Sequence, residues 1–189
     1  MFHTRILSAP PDQRITVMQG QARVSADPRA EFSTVLGSCV ALCLYDPKAR
    51  LGGMNHFLLA EPPRCDAGPH LDTTMIDDHF GTYLMELLVN HMLFCGGHKA
   101  RLRARLYGGA QIIRQTWRIG AANADFARGF IAREGIELLA SDLGGSGARR
   151  VDFRPASGQV RCRHVDDWFA PPCRPTIRPA ISTGDVELF

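Results

Sequence analysis

The sequence predicts an α+β fold: a mixed, sandwich-like β-sheet core flanked by two long helices. Three observations lead there. Many short runs carry the two-residue period of strands and are punctuated by Gly, Pro and Asp turns. Two longer segments carry the three- and four-residue spacing of helices. Helices and strands do not alternate strictly, which argues against a doubly wound nucleotide-binding fold.

Residues 1–14 are polar, contain Pro10-Pro11 and read as a flexible arm. Residues 15–165 form the expected domain. Within it, Ile15 to Val24 reads as one or two short strands, and Asp27-Pro28 as a turn. Glu31 to Leu36 reads as a strand running into a tight corner, Gly37-Ser38-Cys39. Val40 to Tyr45 is wholly apolar, so its period cannot separate a buried strand from a short buried helix. Leu51 to Leu59 reads as a strand, and Glu61 to Leu71, with three prolines and a glycine, as a surface loop.

Met75 to Phe94 is the clearest helix, with Tyr83, Leu84, Leu87, Leu88, His91 and Met92 on one face. Thr73 or Thr74 can cap it, and Gly96-Gly97 stops it. Lys99 to Tyr107 alternates as a strand, with Arg101, Arg103 and Arg105 on one face and Leu102, Ala104 and Leu106 on the other. Ile119 to Glu134 is the second helix. Ile136 to Ser141 is a strand, and 149–153 with 159–164 a hairpin around Ser157-Gly158. Residues 166–189, with four prolines, read as a Pro-rich tail. Its last residues, Gly184 to Phe189, interleave acidic and apolar side chains in the manner of a short docking motif.

Composition narrows the function. The chain has 189 residues, 45% apolar and 22% charged, ordinary values for a globular domain. No run of about 18 apolar residues suggests a membrane span. The net charge of +3 argues against a nucleic-acid binder. All the positive charge except Lys48 and Lys99 is arginine, a bias that reads as compositional. The stripe of Arg101, Arg103 and Arg105 reads as a solvated face or a contact for acidic helices, as do Arg149 and Arg150. No signal peptide is expected, so the six cysteines read as free, catalytic or metal-bound thiols in a reducing compartment. A zinc site is disfavoured: Cys39, Cys43 and His56, or Cys95 and His98, offer no second clean ligand pair.

The segment Ser33-Thr34-Val35-Leu36-Gly37-Ser38-Cys39 carries the strongest chemistry. A cysteine behind a Gly-Ser corner can present its sulfur, and the corner's N–H groups can receive an oxyanion. A thiol acts as thiolate, so it needs a base, and His56 on the next strand is the candidate. A hydroxyl from Ser33 or Thr34 can orient that imidazole. In a strand the two point to opposite faces, so only one can serve.

The wider pattern closely resembles the chemoreceptor glutamine deamidase family, CheD. The residues that carry the resemblance are Leu36 to Pro47 (LGSCVALCLYDP), Gly52 to Leu59 (GGMNHFLL), Tyr83 to Leu93, Tyr107-Gly108-Gly109-Ala110, Ile119-Gly120 with Asn123, and Asp142-Leu143-Gly144-Gly145 with Arg149 and Arg150. The resemblance implies a cytoplasmic protein-glutamine glutaminase of the cysteine-hydrolase type, with neither metal nor other cofactor. It implies hydrolysis of selected glutamines on methyl-accepting chemotaxis receptors, and in some relatives of receptor methyl esters. Cys39 is then the nucleophile and His56 the base, and the third position, six residues before the cysteine, is Ser33, with Thr34 one step later. Gly37, Ser38, Asn55 and Thr34 fall on the substrate side. Partners would be the receptors, with membrane contact through them alone, and a CheC-type phosphatase. An adaptor role without catalysis is the alternative. Two departures from the family pattern stand out: Ser33, where the family carries a threonine, and His79-Phe80-Gly81-Thr82, where relatives often carry an acidic residue.

Overall fold

In the computed structural model, which describes residues 13–59, 78–111 and 117–165, the strands build two sheets. The strands are β1 Gln13–Thr16, β2 Gln21–Ser25, β3 Ala30–Leu36, β4 Val40–Asp46, β5 Leu51–His56, β6 Arg103–Gly108, β7 Glu137–Leu143, β8 Ala148–Arg154 and β9 Gln159–Val165. The first sheet runs β1-β3-β8-β9 and the second β2-β5-β4-β6-β7. Helices α1 (Asp78–Phe94) and α2 (Trp117–Arg133) pack on the second sheet. The fold is α+β, as expected. The arm's first twelve residues, the 61–71 loop, the Thr73 and Thr74 caps and the Pro-rich tail lie outside the described residues.

Strand alternation sorts the core into two layers. Val40, Leu42 and Leu44 of β4 face the helices and meet Leu84, Leu88, Met92 and Phe130. Ala41 and Cys43 face the other sheet and meet Phe32, Val151 and Phe153. An apolar run buried on both faces in this way is a central strand, which settles the reading of 40–45. Burying a side chain such as Phe153 stabilises by about 2–3 kcal/mol.

Two details differ from the sequence reading. The buried stripe of α1 is Leu84, Met85, Leu88, Val89 and Met92, while Tyr83 and His91 are exposed. Met85 and Val89 join the stripe in the core layer that also takes Ala22 and Val24 of β2. The arginine stripe is also broken. Lys99–Arg101 forms a 3-10 turn, and only then does β6 begin. The cause is Asp46, whose buried carboxylate takes the His98 N–H at 2.9 Å and the Arg101 guanidinium at 2.9 Å, pulling that turn onto the end of β4. Arg103 pairs with Glu137, and Arg105 donates to the Gly158 carbonyl.

The chain crosses between the sheets three times at one end of the sandwich, at 17–20, at 37–39 and at 144–147. Arg149, 1% exposed, ties this end together. Its guanidinium donates to the carbonyls of Gly108, Asp142 and Gly144. A solvated face was one expectation for Arg149; instead it is an internal clamp.

Asp46 yields a stability prediction. Burial pushes its carboxyl up, but the hydrogen bonds from Arg101 and from the Ala49, His98 and Lys48 N–H groups outweigh that and hold it at about 2, against 3.8 ordinarily. The stabilisation is therefore complete above pH 3.8 and is lost as pH falls toward 2. Asp46→Ala, which strands Arg101 and three N–H groups, should cost about 3 kcal/mol in urea unfolding at pH 7. The difference from wild type should shrink in the acid range.

Candidate active site

Backbone bonds fix the corner between β3 and β4. The Gly37 carbonyl accepts the Ala110 N–H at 2.7 Å, and the Cys39 carbonyl accepts the Gly109 N–H at 2.7 Å. The Ser38 carbonyl accepts Nδ2 of Asn123 at 2.8 Å. Asn123 is fully buried on α2, and its Oδ1 accepts the Leu59 N–H at 2.7 Å. One side chain thus ties the corner to the chain leaving β5. Among the described residues, no other residue offers an acceptor to the Ser38 or Cys39 N–H, and the Cys39 N–H lies against its own sulfur.

Glycine is required beside this corner. Gly108 has φ +113°, and a Cβ there would collide with the Cys39 carbonyl oxygen. Gly120 at the start of α2 abuts the Gly109 and Ala110 carbonyls, where a Cβ would lie at 2.7 and 2.6 Å. These contacts explain why the GGA segment and the Ile119-Gly120 step occur together.

His56 ends β5. The register that pairs Cys43 with Met54 and Val40 with Phe57 sets His56 beside Ala41. Cys39, one residue before β4, packs in the layer between the sheets with Ala41, at the register position diagonal to His56. Opposite, in the first sheet, Thr34 turns inward. Its Oγ1 lies 2.9 Å from Nδ1 of His56, and its hydroxyl donates to the Val17 carbonyl at 2.9 Å. Nδ1 is also 3.3 Å from that carbonyl. A carbonyl can only accept, so Nδ1 carries the ring proton. Nε2 is left with a free lone pair, buried and without a partner among the described residues.

Burial depresses the His56 pKa below its ordinary 6.5, against a smaller upward pull from Val17. Burial also pushes the Cys39 thiol up to about 11. The two groups therefore rest neutral at pH 7. The arrangement can store a proton at Nε2 once a nucleophilic thiol gives it up.

Two expected residues stand elsewhere. Ser33 points to the outer face of the first sheet and donates to Asp152 Oδ1 at 2.7 Å, away from the imidazole. Strand parity is the reason: Phe32, Thr34 and Leu36 face inward, so Ser33 faces out. Asn55 faces the helices, not the substrate side. Its Oδ1 accepts the Leu42 N–H at 2.9 Å and its Nδ2 donates to the Leu84 carbonyl at 3.1 Å. It fills a gap in the β4–β5 ladder and anchors α1 there. Gly37 and Ser38 lie at the corner, as expected.

Sequence reasoning passed over Gln19. This exposed residue between β1 and β2 places Oε1 3.5 Å from Cys39 Sγ. It also passed over the Val17 carbonyl. Neither carries a motif, because both reach the site through the 17–20 crossing. Among the described residues, Cys43, Cys95 and Cys162 are free thiols besides Cys39, and no group of three or more His, Cys, Asp or Glu gathers as a metal site.

Comparison with known proteins agrees with the pattern. The family model for CheD chemotactic sensory transduction matches residues 69–164. A Zymomonas mobilis protein described as a probable chemoreceptor glutamine deamidase CheD is 51% identical, over 94% of this chain and 93% of its own. A Caulobacter protein of the same description is 45% identical, over 95% and 94%. Among solved structures, the Bacillus licheniformis hypothetical protein YfiH aligns with a TM-score of 0.40 and 15% identity, over 64% of this chain and 49% of that one.

The Thr34 contact can be read directly. Imidazole nitrogen shifts in NMR should show Nδ1 protonated and Nε2 bare at pH 7, with a midpoint below 6.5. Thr34→Ala should move those shifts, and Ser33→Ala should leave them in place.

Proposed function

The chain belongs to the CheD family, and from that membership we propose that it is a chemoreceptor glutamine deamidase, with Cys39 as nucleophile, His56 as base and Thr34 holding the imidazole. The supporting observation is the Thr34–His56 contact, which leaves Nε2 bare on the face that carries Cys39. Relatives are described as chemoreceptor glutamine deamidases, which names the substrate class: glutamine side chains on receptors. We place the reaction in the cytoplasm, on the cytoplasmic part of those receptors. No helix among the described residues is long and apolar enough to cross a membrane.

The chemistry runs in two halves. Cys39 Sγ attacks the carboxamide carbon as its proton passes to His56 Nε2. The carbonyl electron pair moves onto oxygen, which the Ser38 and Cys39 N–H groups receive. The imidazolium gives its proton to the departing nitrogen, and ammonia leaves a thioester on Cys39. Nε2 then takes a proton from water, the hydroxide opens the thioester to a glutamate carboxyl, and the proton returns to Sγ. Thr34 and Val17 keep Nδ1 protonated throughout, so the working nitrogen is always Nε2.

The adaptor alternative, in which the chain binds a CheC-type phosphatase or a receptor without catalysis, is separated by one experiment. The purified chain is incubated with a receptor cytoplasmic fragment, and peptides are weighed for the one-dalton gain of Gln to Glu. The gain should appear at specific glutamines and vanish with Cys39→Ala. His56→Ala should lower the rate by about 10²–10⁴-fold. Thr34→Ala should lower it about tenfold, the worth of one hydrogen bond, while Ser33→Ala retains it. No gain with wild type, or an unchanged gain with Cys39→Ala, refutes the proposal.

The pH profile has a definite sign. The base must be unprotonated, and burial holds His56 below 6.5, so the acid limb of kcat/KM should lie below pH 6.5. The thiol proton must be present to be transferred, and that group sits at about 11, so the alkaline limb lies near pH 11. The plateau should therefore extend across pH 7–9 in a stopped-assay profile.

A further inference from the structure

The segment between β1 and β2 is held to the site at two points. The Val17 carbonyl meets the imidazole, and the Gly20 N–H donates to the His56 carbonyl at 2.8 Å. The Gln21 N–H closes a turn onto the Met18 carbonyl at 3.0 Å, and the Gln21 side chain accepts the Met18 N–H at 3.3 Å. Gln19 stands at the tip of this braced turn. Its carboxamide oxygen accepts the Cys39 S–H at 3.5 Å, and among the described residues it is the side chain hydrogen-bonded to that sulfur.

We propose that Gln19 is a further catalytic residue, whose carboxamide supplies an N–H donor to the oxyanion formed when Cys39 attacks a carbonyl. A carboxamide presents an acceptor and a donor on one planar group. In the resting protein the acceptor end holds the S–H. Once that proton has gone to His56 the oxygen has nothing to accept, and a half turn about Cγ–Cδ brings the N–H2 end toward the sulfur. The oxyanion forms on the carbon bonded to that sulfur, so a donor in contact with Sγ reaches it. Gln19 is exposed and approaches from the solvent side, and the half-buried corner offers the Ser38 and Cys39 N–H groups beside it. It donates a hydrogen bond and neither gains nor loses a proton. The inference rests on Cys39 being the nucleophile, as proposed above, and is independent of which carbonyl substrate is attacked.

The test compares attack at carbon with attack at sulfur. Acylation of Cys39 by p-nitrophenyl acetate creates an oxyanion, and disulfide exchange with a methanethiosulfonate does not, while both need the same thiolate. Gln19→Ala and Gln19→Met should slow the acylation burst by about 10²-fold, in the range expected for one lost donor, and leave the exchange rate within twofold. In receptor-fragment deamidation the same variants should lose kcat with KM little changed. An equal fall in both model reactions overturns the proposal, because Gln19 then acts on the thiol alone. No fall in acylation overturns it as well, and a rise would mark Gln19 as a blocker of the site. If wild type is acylated at Cys39 but leaves receptor glutamines intact, the receptor reading fails while the Gln19 assignment stands on the two model reactions. If Cys39→Ala shows the same burst as wild type, Cys39 is not the nucleophile and both readings fall.

Discussion

The site depends on one constraint: three consecutive carbonyls, of Gly37, Ser38 and Cys39, are all bonded inward. Two go to the Gly109-Ala110 backbone and one to Asn123. A peptide unit points its N–H opposite its C=O. Securing the carbonyls therefore turns the intervening N–H groups the other way, and the one side chain involved, Asn123, is itself fully buried and held at both ends. The same bonds set the Cα of Cys39 and so the origin of its sulfur. Gly108, Gly109 and Gly120 serve this approach, and the helix α2 and strand β6 that carry them are in turn seated by the core.

The polar groups sunk into the two ends of the sandwich divide the remaining labour. Asp46 pins the turn before β6, and Arg149 caps the three carbonyls where the sheets are joined. On the outer face of the first sheet, Asp152 gathers Arg14, Arg150 and Arg163 and the Ser33 hydroxyl. Burial pushes the Asp152 carboxyl up, and the Ser33 and Arg150 hydrogen bonds, with the charge of Arg14, bring it below its ordinary value. Much of the arginine excess thus has internal employment. Asp152 is the buried member, so removing the arginines around it leaves its charge in a desolvated place.

Most of the fold was legible because it is written in local terms. Alternation and turn residues located β3, β5, β7, β8 and β9 closely, merged β1 and β2 into one or two strands and began β6 four residues early, and the wholly apolar 40–45 run needed its neighbours to be resolved as a strand. Cys39, His56 and the Gly-Ser corner were legible as chemistry at a recognisable spacing. What the sequence could not give was parity. Ser33 and Thr34 are chemically alike and adjacent, and only the face taken by Phe32 and Leu36 decides which hydroxyl meets the imidazole. Asn55 has the same explanation, being one step from His56 and therefore on the opposite face. Arg101 left its stripe because of a contact with Asp46, 55 positions away in the chain. Gln19 was invisible for the same reason, since a residue 20 positions from Cys39 reaches the sulfur only after the sheets have closed.

The neutral resting state of Cys39 and His56 has a consequence for survival of the thiol. Peroxide and other oxidants attack thiolate, and sulfenic acid is the first rung of a ladder whose upper steps are irreversible. A group at about 11 is ionised in roughly one molecule in 10⁴ at pH 7. Many hydrolases keep their cysteine charged and ready, and bear the corresponding vulnerability. In the mechanism proposed above, ionisation is deferred until a carbonyl is in place and Nε2 takes the proton. On the proposed mechanism the thiol is thus shielded chemically, and a protein that idles between encounters with its target keeps its sulfur reduced.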